Sequence, residues 1–198
     1  MKRSMESEID MPCPICASRG HLKMISHVDE IPYFGEHTQV TLMCEECGWR
    51  QTDFIPAEGR KPGAWSLLIQ GEDALNARVV RSSSCTIRIP ELELEVSPGT
   101  GSSGYVSNVE GVLNRFLEIV NMVKRDLEED GDEEMLRCVE LEVNLGKLIG
   151  GQHSGVTLEL LDPRGHSQIL HPDAIDRELS DAESLALPLG PDPPVLEK

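Results

Sequence analysis

Alternating apolar and polar positions predict short β-strands over most of this chain. In the first third of the sequence the alternation runs through residues 21–27, 40–43 and 49–55. It resumes after a glycine- and proline-rich stretch, where the strand segments are 64–69, 77–81, 85–89, 92–96, 156–160 and 167–170. A period of two residues gives each strand one apolar and one polar face. The pattern therefore predicts a mainly β protein.

Between residues 108 and 149 the apolar residues recur at intervals of three and four, the spacing of amphipathic helices. Ser107 or Asn108 can cap the first helix, 109–127, and Gly150-Gly151 can end the second, 133–149. An acidic link joins them, so we predict an antiparallel helical hairpin of about 108–149. Strand pattern continues beyond it, which places the hairpin inside a β domain as an insertion.

Four cysteines, Cys13, Cys16, Cys44 and Cys47, form two Cys-x-x-Cys pairs with 27 residues between them. Two such pairs are typical of a closed tetrahedral site for one structural zinc ion. With four protein ligands, no coordination position is left for a catalytic water. Two disulfides or four ordinary buried thiols are the alternatives. Disulfides need an oxidising compartment, whereas residues 1–10 lack the apolar core of a signal peptide, so we predict zinc and a cytoplasmic location.

Composition divides the chain into five parts. Residues 1–10 are predicted to be a flexible N-terminus, 11–56 a three-stranded zinc ribbon with a turn at 32–35, and 57–63 a linker. Residues 64–171 form the β domain, in which 97–104 is a flexible loop. Residues 172–198 form an acidic, proline-rich tail with one short helix at 174–179, and from about residue 185 the tail is expected to be disordered. No apolar stretch is long enough to span a membrane.

Acidic residues dominate the charge, which is −17 for the whole chain. Residues 1–64 carry a net −3, so the ribbon lacks the basic stripe that phosphate contacts require. This disfavours the alternative of a nucleic-acid-binding or transcription accessory ribbon. Residues 126–142 carry a net −8, and Glu91, Glu93 and Glu95 alternate with apolar residues on one predicted strand. These patches favour a protein partner with a basic surface, although acidic runs also serve simply to solvate a surface.

Sequence motifs for catalysis, for a second metal site or for phosphate binding are weak or absent. His171 and Asp173 have the spacing of part of a two-histidine, one-carboxylate metal triad, as in a cupin-like metal enzyme, but a third ligand is missing from the pattern. Residues 162–167 have the composition of a turn, in which Asp162 accepts N–H groups and Gly165 adopts a positive φ. A binding loop is the alternative for this segment. No phosphate-binding glycine motif or nucleophile signature is present, so we predict that the protein is not an enzyme.

Seven sequence blocks together carry a family resemblance: 13–16, 31–36, 44–50, 80–84, 87–95, 109–113 and 161–167. In order and residue type they resemble the ZPR-type zinc-finger family, in the single-module form that archaea carry. The resemblance covers residues 11–171. The chain departs from the family pattern at Leu161 and His166, where the family usually has Asp and Asn.

That resemblance implies a four-cysteine ribbon joined to a double-stranded β-helix, a jelly-roll-like domain with a helical-hairpin insertion. Eukaryotic relatives carry two such modules and bind elongation factor one-alpha, the GTPase that delivers aminoacyl-tRNA, whose biogenesis they assist. For this chain the resemblance implies a zinc-binding protein-interaction module or assembly chaperone. The expected partner is an elongation factor GTPase. Binding to nucleic acid or to a membrane is not expected.

Overall fold

The structure, a computed structural model, describes residues 3–31, 35–57, 61–127, 133–152 and 155–191. The first part is one antiparallel sheet in the order β1-β2-β3-β4, made by β1 (Arg3–Ile9), β2 (Leu22–Ile31), β3 (Gly35–Cys44) and β4 (Arg50–Pro56). The three predicted ribbon strands are present, and two of them are longer than expected. Most of the predicted turn at 32–35 lies outside the described residues.

The prediction of a flexible N-terminus is wrong for the described part of residues 1–10. Strand β1 pairs with β2 from Arg3 opposite Val28 to Ile9 opposite Leu22. Without β1, strand β2 would present a row of unpaired backbone N–H and C=O groups at the edge of the sheet. The alternation of Met5, Ser7 and Ile9 with glutamates supports this fourth strand, and the sequence reasoning missed it.

Where the structure describes it, the second part contains two further antiparallel sheets and four α-helices. In chain order its elements are β5 (Gly63–Ile69), α1 (Gly71–Asn76), β6 (Arg78–Arg81), β7 (Thr86–Ile89), β8 (Leu94–Val96), β9 (Tyr105–Asn108), α2 (Val109–Asp126), α3 (Glu133–Ile149), β10 (Val156–Asp162), β11 (Gln168–Leu170), β12 (Ile175–Glu178) and α4 (Asp181–Ala186). One sheet has the order β12-β5-β10-β7-β8 and the other β11-β6-β9. The core contains apolar side chains from both sheets and from the hairpin α2–α3.

The predicted helical hairpin is confirmed within one residue at each end. Asn108 caps α2 by accepting the Gly111 N–H at 2.9 Å. A Cβ at Gly111 would clash with the Ser107 hydroxyl, so a larger residue there would force Ser107 to rotate away. Across the hairpin, the Lys124 ammonium lies 2.6 Å from the Glu142 carboxylate. No helix in the described residues has the length and apolar composition needed to cross a membrane.

The tail is more ordered than its composition predicts. Residues 174–179 do not form the expected helix, because Ile175–Glu178 pairs with the edge strand β5. Extended backbone suits a chain whose prolines disfavour helix, and it satisfies the open edge of the sheet. Leu187 is buried in a cluster with Ala64, Leu161 and Leu179, which contradicts disorder from residue 185. Residues 192–198 lie outside the described part.

Of the strand predicted at 92–96, only Leu94–Val96 forms, as β8, and the residues just before it turn. Pro90–Leu92 is a turn of 3-10 helix, and Glu93 follows in the left-handed region with φ of 52°. Proline cannot donate to a strand ladder, so the strand β7 ends there. The three glutamates therefore do not share one acidic face. Their carboxylates instead have separate partners: Thr157 for Glu91, Arg137 for Glu93 and Arg88 for Glu95.

A buried carboxylate joins the ribbon to the β domain. Asp53 in β4 is only 5% exposed, and its two oxygens accept the N–H and the hydroxyl of Ser83 at 2.8 and 2.6 Å. Beside it, the Gly104 N–H donates to the Thr52 carbonyl at 2.7 Å. A Cβ at Gly104 would lie 3.0 Å from an Asp53 oxygen, so glycine permits this approach. The loop 97–104, expected to be flexible, is therefore held at its end.

A chain that starts at Gly63 is expected to fold without the ribbon. The main core of the β domain contains no ribbon residue. Deleting the ribbon removes Asp53, the partner of Ser83, but it also exposes Ser83 to water, which can replace the lost hydrogen bonds. The measurement is urea unfolding with the near-ultraviolet dichroism of Trp65 as the signal. A cooperative transition is expected. A molten spectrum would show that the two parts share one core and that 57–63 is not a domain boundary.

Candidate metal centre

Two similar knuckles carry the four cysteines. In each, the N–H of the first cysteine donates to the carbonyl five residues later: Cys13 to Ser18 at 2.9 Å and Cys44 to Trp49 at 2.8 Å. The residue after each second cysteine, Ala17 or Gly48, has a positive φ of 57° or 75°. This backbone turns each Cys-x-x-Cys segment so that both of its thiols point the same way.

The four thiols meet at one point between the knuckles. All four sulfur atoms lie within 4.8 Å of one another. The Sγ atoms of Cys13 and Cys47 are 3.7 Å apart, as are those of Cys16 and Cys44. Four sulfurs placed about 2.3 Å from a tetrahedral zinc ion are about 3.8 Å from one another. The four cysteines are therefore positioned to bind one metal ion, and their spacing fits zinc.

The surroundings favour the thiolate form at two of the cysteines and oppose it at Cys47. The Cys47 backbone N–H, helped by the Ser18 hydroxyl, lowers the pKa of the Cys44 thiol to about 6. The Ser18 hydroxyl likewise lowers the pKa of Cys16. The Trp49 N–H has the same effect on Cys47, but burial and the three neighbouring thiols together raise the pKa of Cys47 to about 12. A divalent cation supplies the positive charge that lets all four bind as thiolates.

The ribbon has little else to hold its knuckles together. The apolar cluster around the thiols contains only Cys13, Leu22 and Cys44, with Ile9 and Trp49 packed beside them. So small a core does not stabilise a fold by hydrophobic burial alone. Cys13 and Cys44 are buried, and Cys16 and Cys47 lie at the surface. Among the described residues, this is the one group of histidines, cysteines and carboxylates with the geometry to hold a metal ion.

The other two cysteines are far from metal chemistry. Cys85 and Cys138 lie in the core of the β domain and behave as small apolar side chains. Full burial raises the pKa of Cys85 to about 12, so it stays protonated.

The segment 162–167 is a turn built around a buried carboxylate. The Asp162 oxygens accept the backbone N–H groups of Arg164 and His166, each at 2.9 Å, and Gly165 has φ of 70°. These contacts confirm the turn interpretation. The sequence reasoning missed the other half of the network, in which hydroxyls of the β6–β7 loop also reach Asp162.

Three serine hydroxyls complete the shell of Asp162. Those of Ser84 and Ser167 donate at 2.7 Å, and that of Ser82 donates at 2.8 Å. Burial by itself would raise the pKa of Asp162, but the hydrogen bonds from these serines and the Arg164 N–H outweigh it, and the pKa is lowered. The carboxylate is therefore charged and fully bonded. Two features could have pointed to it: the run of three serines and the Asp162-to-Ser167 turn, both of which lie in the blocks noted above.

The His171 ring is hydrogen-bonded within the protein and does not belong to a metal triad. Its Nδ1 accepts the Asp173 N–H at 3.1 Å, so Nε2 carries the proton and donates to Asp73 at 3.2 Å. Both ring nitrogens are thus occupied. His153 lies outside the described residues, and His166 contacts the Asp162 turn through its backbone.

Comparison with known proteins gives a consistent set of relatives. The family model for the ZPR1 jelly-roll domain matches residues 73–183. A ZPR1-like protein of Methanocaldococcus jannaschii is 42% identical over 179 residues, which cover 90% of this chain and 89% of that protein. Mouse zinc finger protein ZPR1 is 30% identical over 183 residues, which cover 87% of this chain but 37% of the mouse protein.

A more distant relative has a name that describes a function. The zinc finger chaperone zpr1 of Schizosaccharomyces pombe is 30% identical over 113 residues, which cover 56% of this chain and 24% of the yeast protein. Together with the strands and the cysteine cluster, these matches confirm the predicted fold class: a four-cysteine ribbon followed by a jelly-roll domain with a helical insertion.

Proposed function

Because this chain belongs to the ZPR1 family, we propose that it is a non-enzymatic protein-interaction module or assembly chaperone for a translation elongation factor GTPase. Zinc held by Cys13, Cys16, Cys44 and Cys47 stabilises the ribbon that takes part in this interaction. The yeast relative named as a chaperone supports a protein-binding role. The elongation factor as partner is inferred from the family resemblance of the sequence blocks.

The single observation that carries a non-catalytic role is the closed metal centre. All four positions of a tetrahedral zinc ion are taken by sulfur, so no water can be activated and no substrate can coordinate. The two buried carboxylates, Asp53 and Asp162, have their oxygens hydrogen-bonded and therefore serve the structure. The metal shapes a surface instead of performing chemistry.

The rigid connection between the ribbon and the β domain supports a binding surface made from both. Asp53 fixes β4 against Ser83, and this serine adjoins Ser82 and Ser84, which bind Asp162. Two sets of buried hydrogen bonds, joined by the backbone of residues 82–84, thus connect the ribbon sheet to the turn 162–167. A partner that contacts both parts meets a preorganised surface, which lowers the entropic cost of binding.

The acidic charge is expected to speed encounter with a basic partner. The predicted acidic strand does not supply this attraction, because Glu91, Glu93 and Glu95 have partners within the protein. We assign it instead to exposed acids of the hairpin, such as Glu133 and Glu134 at the start of α3. Attraction between exposed charges acts mainly on the association rate and weakens with salt. Binding to the GTPase is therefore expected to weaken as ionic strength rises.

Affinity capture tests the proposal. The zinc-loaded protein is immobilised and exposed to lysate of the source organism, and the retained proteins are identified by mass spectrometry. Enrichment of an elongation factor GTPase is expected, with a smaller amount retained by Glu133→Gln/Glu134→Gln than by the control Glu72→Gln/Asp176→Asn, which removes the same charge elsewhere. Retention of ribosomal or polymerase nucleic-acid complexes without the GTPase would overturn the proposal and favour a nucleic-acid accessory role.

A further inference from the structure

Outside the metal centre, a cavity of about 220 Å³ lies between α2 and the edge strands β8 and β9. Its walls are mostly apolar, and three of its lining residues carry charge. The lining residues are Arg81, Ile87, Val96, Tyr105, Val112, Arg115, Phe116, Glu118 and Ile119. A mostly apolar cavity with a few polar or charged groups in its walls has the usual character of a small-molecule site.

Two arginines share the ring of Tyr105 at this cavity. The guanidinium of Arg115, on α2, lies 4.2 Å from the centre of the ring, and that of Arg81 lies 5.8 Å from it. Stacking fixes a guanidinium through its flat face and leaves its N–H groups free at the edge. Arg115 makes no hydrogen bond or ion pair within the described residues, so its donors are unused there.

Arg81 adds a buried positive charge without a bonded counterion. It is 6% exposed, and its donors reach only neutral acceptors: the Ser102 hydroxyl and the carbonyls of Ser103 and Cys85, each at 2.9 Å. Its Nε is buried without a partner, and none of the described carboxylates lies within ion-pair distance of it. A buried charge of this kind is costly, and a nearby anion offsets that cost.

Glu118 is the acidic residue that faces the same cavity. It lies one turn after Arg115 on α2 and is exposed to solvent, and it pairs with neither arginine in the described part of the chain. The cavity thus combines an apolar interior with two positive charges that the protein leaves uncompensated.

We propose that this cavity binds a compact apolar molecule that bears one carboxylate. The apolar body occupies the space between Ile87, Val112 and Phe116, and the carboxylate receives the free N–H edge of Arg115 in the field of Arg81. A ligand of this chemistry is either a free small acid or the last residue of a chain, whose apolar side chain and carboxylate are joined. This site is separate from the zinc ribbon, and it does not depend on the proposed GTPase partner.

The test is calorimetric titration of the zinc-loaded protein with benzoate, with benzamide as a neutral ligand of the same shape. Benzoate is expected to bind with a Kd of about 1 mM or lower, which suits a ligand of about nine non-hydrogen atoms, and benzamide at least about tenfold more weakly. Arg115→Met keeps an unbranched apolar stem and removes the charged guanidinium, and it is expected to weaken benzoate binding about tenfold or more. The matched control is Arg125→Met, an exposed arginine farther along α2, which leaves binding unchanged.

A second pair of ligands separates the two sources. A short peptide that ends in phenylalanine is compared with the same peptide as its C-terminal amide. Tighter binding of the peptide acid than of benzoate supports the proposal and assigns the site to a chain terminus. Tighter binding of benzoate supports it and assigns the site to a free acid. Equal binding of benzoate and benzamide, unchanged binding by Arg115→Met, or no binding of either acid at millimolar concentration would overturn it.

Discussion

Replacing Cys44 by serine is expected to abolish zinc binding and to unfold the ribbon. Cys44 ends β3 and is buried, and its sulfur lies 3.7 Å from that of Cys16 in the cluster. A serine hydroxyl does not ionise to replace the thiolate, and structural zinc sites of this kind contribute about 10–16 kcal/mol. The apolar cluster of the ribbon is too small to compensate. The β domain is expected to stay folded, because its core contains no ribbon residue.

The measurement is zinc content after dialysis against a chelator, read together with the amide spectrum of the ribbon. The wild-type protein is expected to keep one zinc ion per chain and the Cys44→Ser protein none. Cys138→Ser makes the same chemical change in the core of α3, away from the cluster, and is expected to keep its zinc. Stoichiometric zinc in the dialysed Cys44→Ser protein would contradict the assignment of the four ligands.

Replacing Asp162 by asparagine is expected to cost about 3–5 kcal/mol of unfolding free energy, as breaking a buried charged network does. Each carboxylate oxygen accepts one backbone N–H: Oδ1 accepts that of Arg164, and Oδ2 accepts that of His166. Serine hydroxyls can rotate, but these backbone groups cannot. Whichever way the asparagine amide is turned, its NH₂ faces a fixed N–H donor. Two donors then meet in a buried site.

Urea unfolding of the full chain measures this loss as a lower transition midpoint. Asp176→Asn, at an exposed position in β12, removes the same charge and is expected to shift the midpoint little. A similar midpoint for Asp162→Asn and Asp176→Asn would show that the buried network contributes little to stability.

The same carboxylate predicts the direction of the acid response. Its pKa is lower in the folded protein than in the unfolded chain, so its contribution to stability is fully present above the unfolded value of about 3.9. That contribution is lost as the pH falls through the folded value. Wild-type stability should therefore drop more steeply below about pH 4 than that of Asp162→Asn.

Local patterns predicted the cysteine cluster and the helical hairpin. The four ligands of the metal centre come from two short segments. The hairpin follows from the spacing of apolar residues such as Val112, Phe116 and Leu145. Each of these signals involves residues that are close together in the sequence. The same holds for the residues that were predicted to cap the hairpin helices. Such features depend little on the rest of the fold.

The features that were missed depend on partners distant in sequence. Strand β12 forms because β5 leaves an open edge more than a hundred residues earlier in the chain. Glu91 looked like part of an acidic strand, but its partner Thr157 comes from β10. The three serines 82–84 are ordinary polar residues until the fold brings them to Asp53 and Asp162. Tertiary context, not local preference, decided each of these cases.

The most direct test of the proposed function is a calorimetric titration of the zinc-loaded protein against the purified elongation factor GTPase of the same organism. The titration is run with GDP and with a GTP analogue, at low and at high salt. Saturable binding is expected in at least one nucleotide state, with weaker affinity at high salt and loss of binding in the Cys44→Ser protein, whose ribbon lacks its metal. Absence of binding in both nucleotide states at low salt would contradict the proposal.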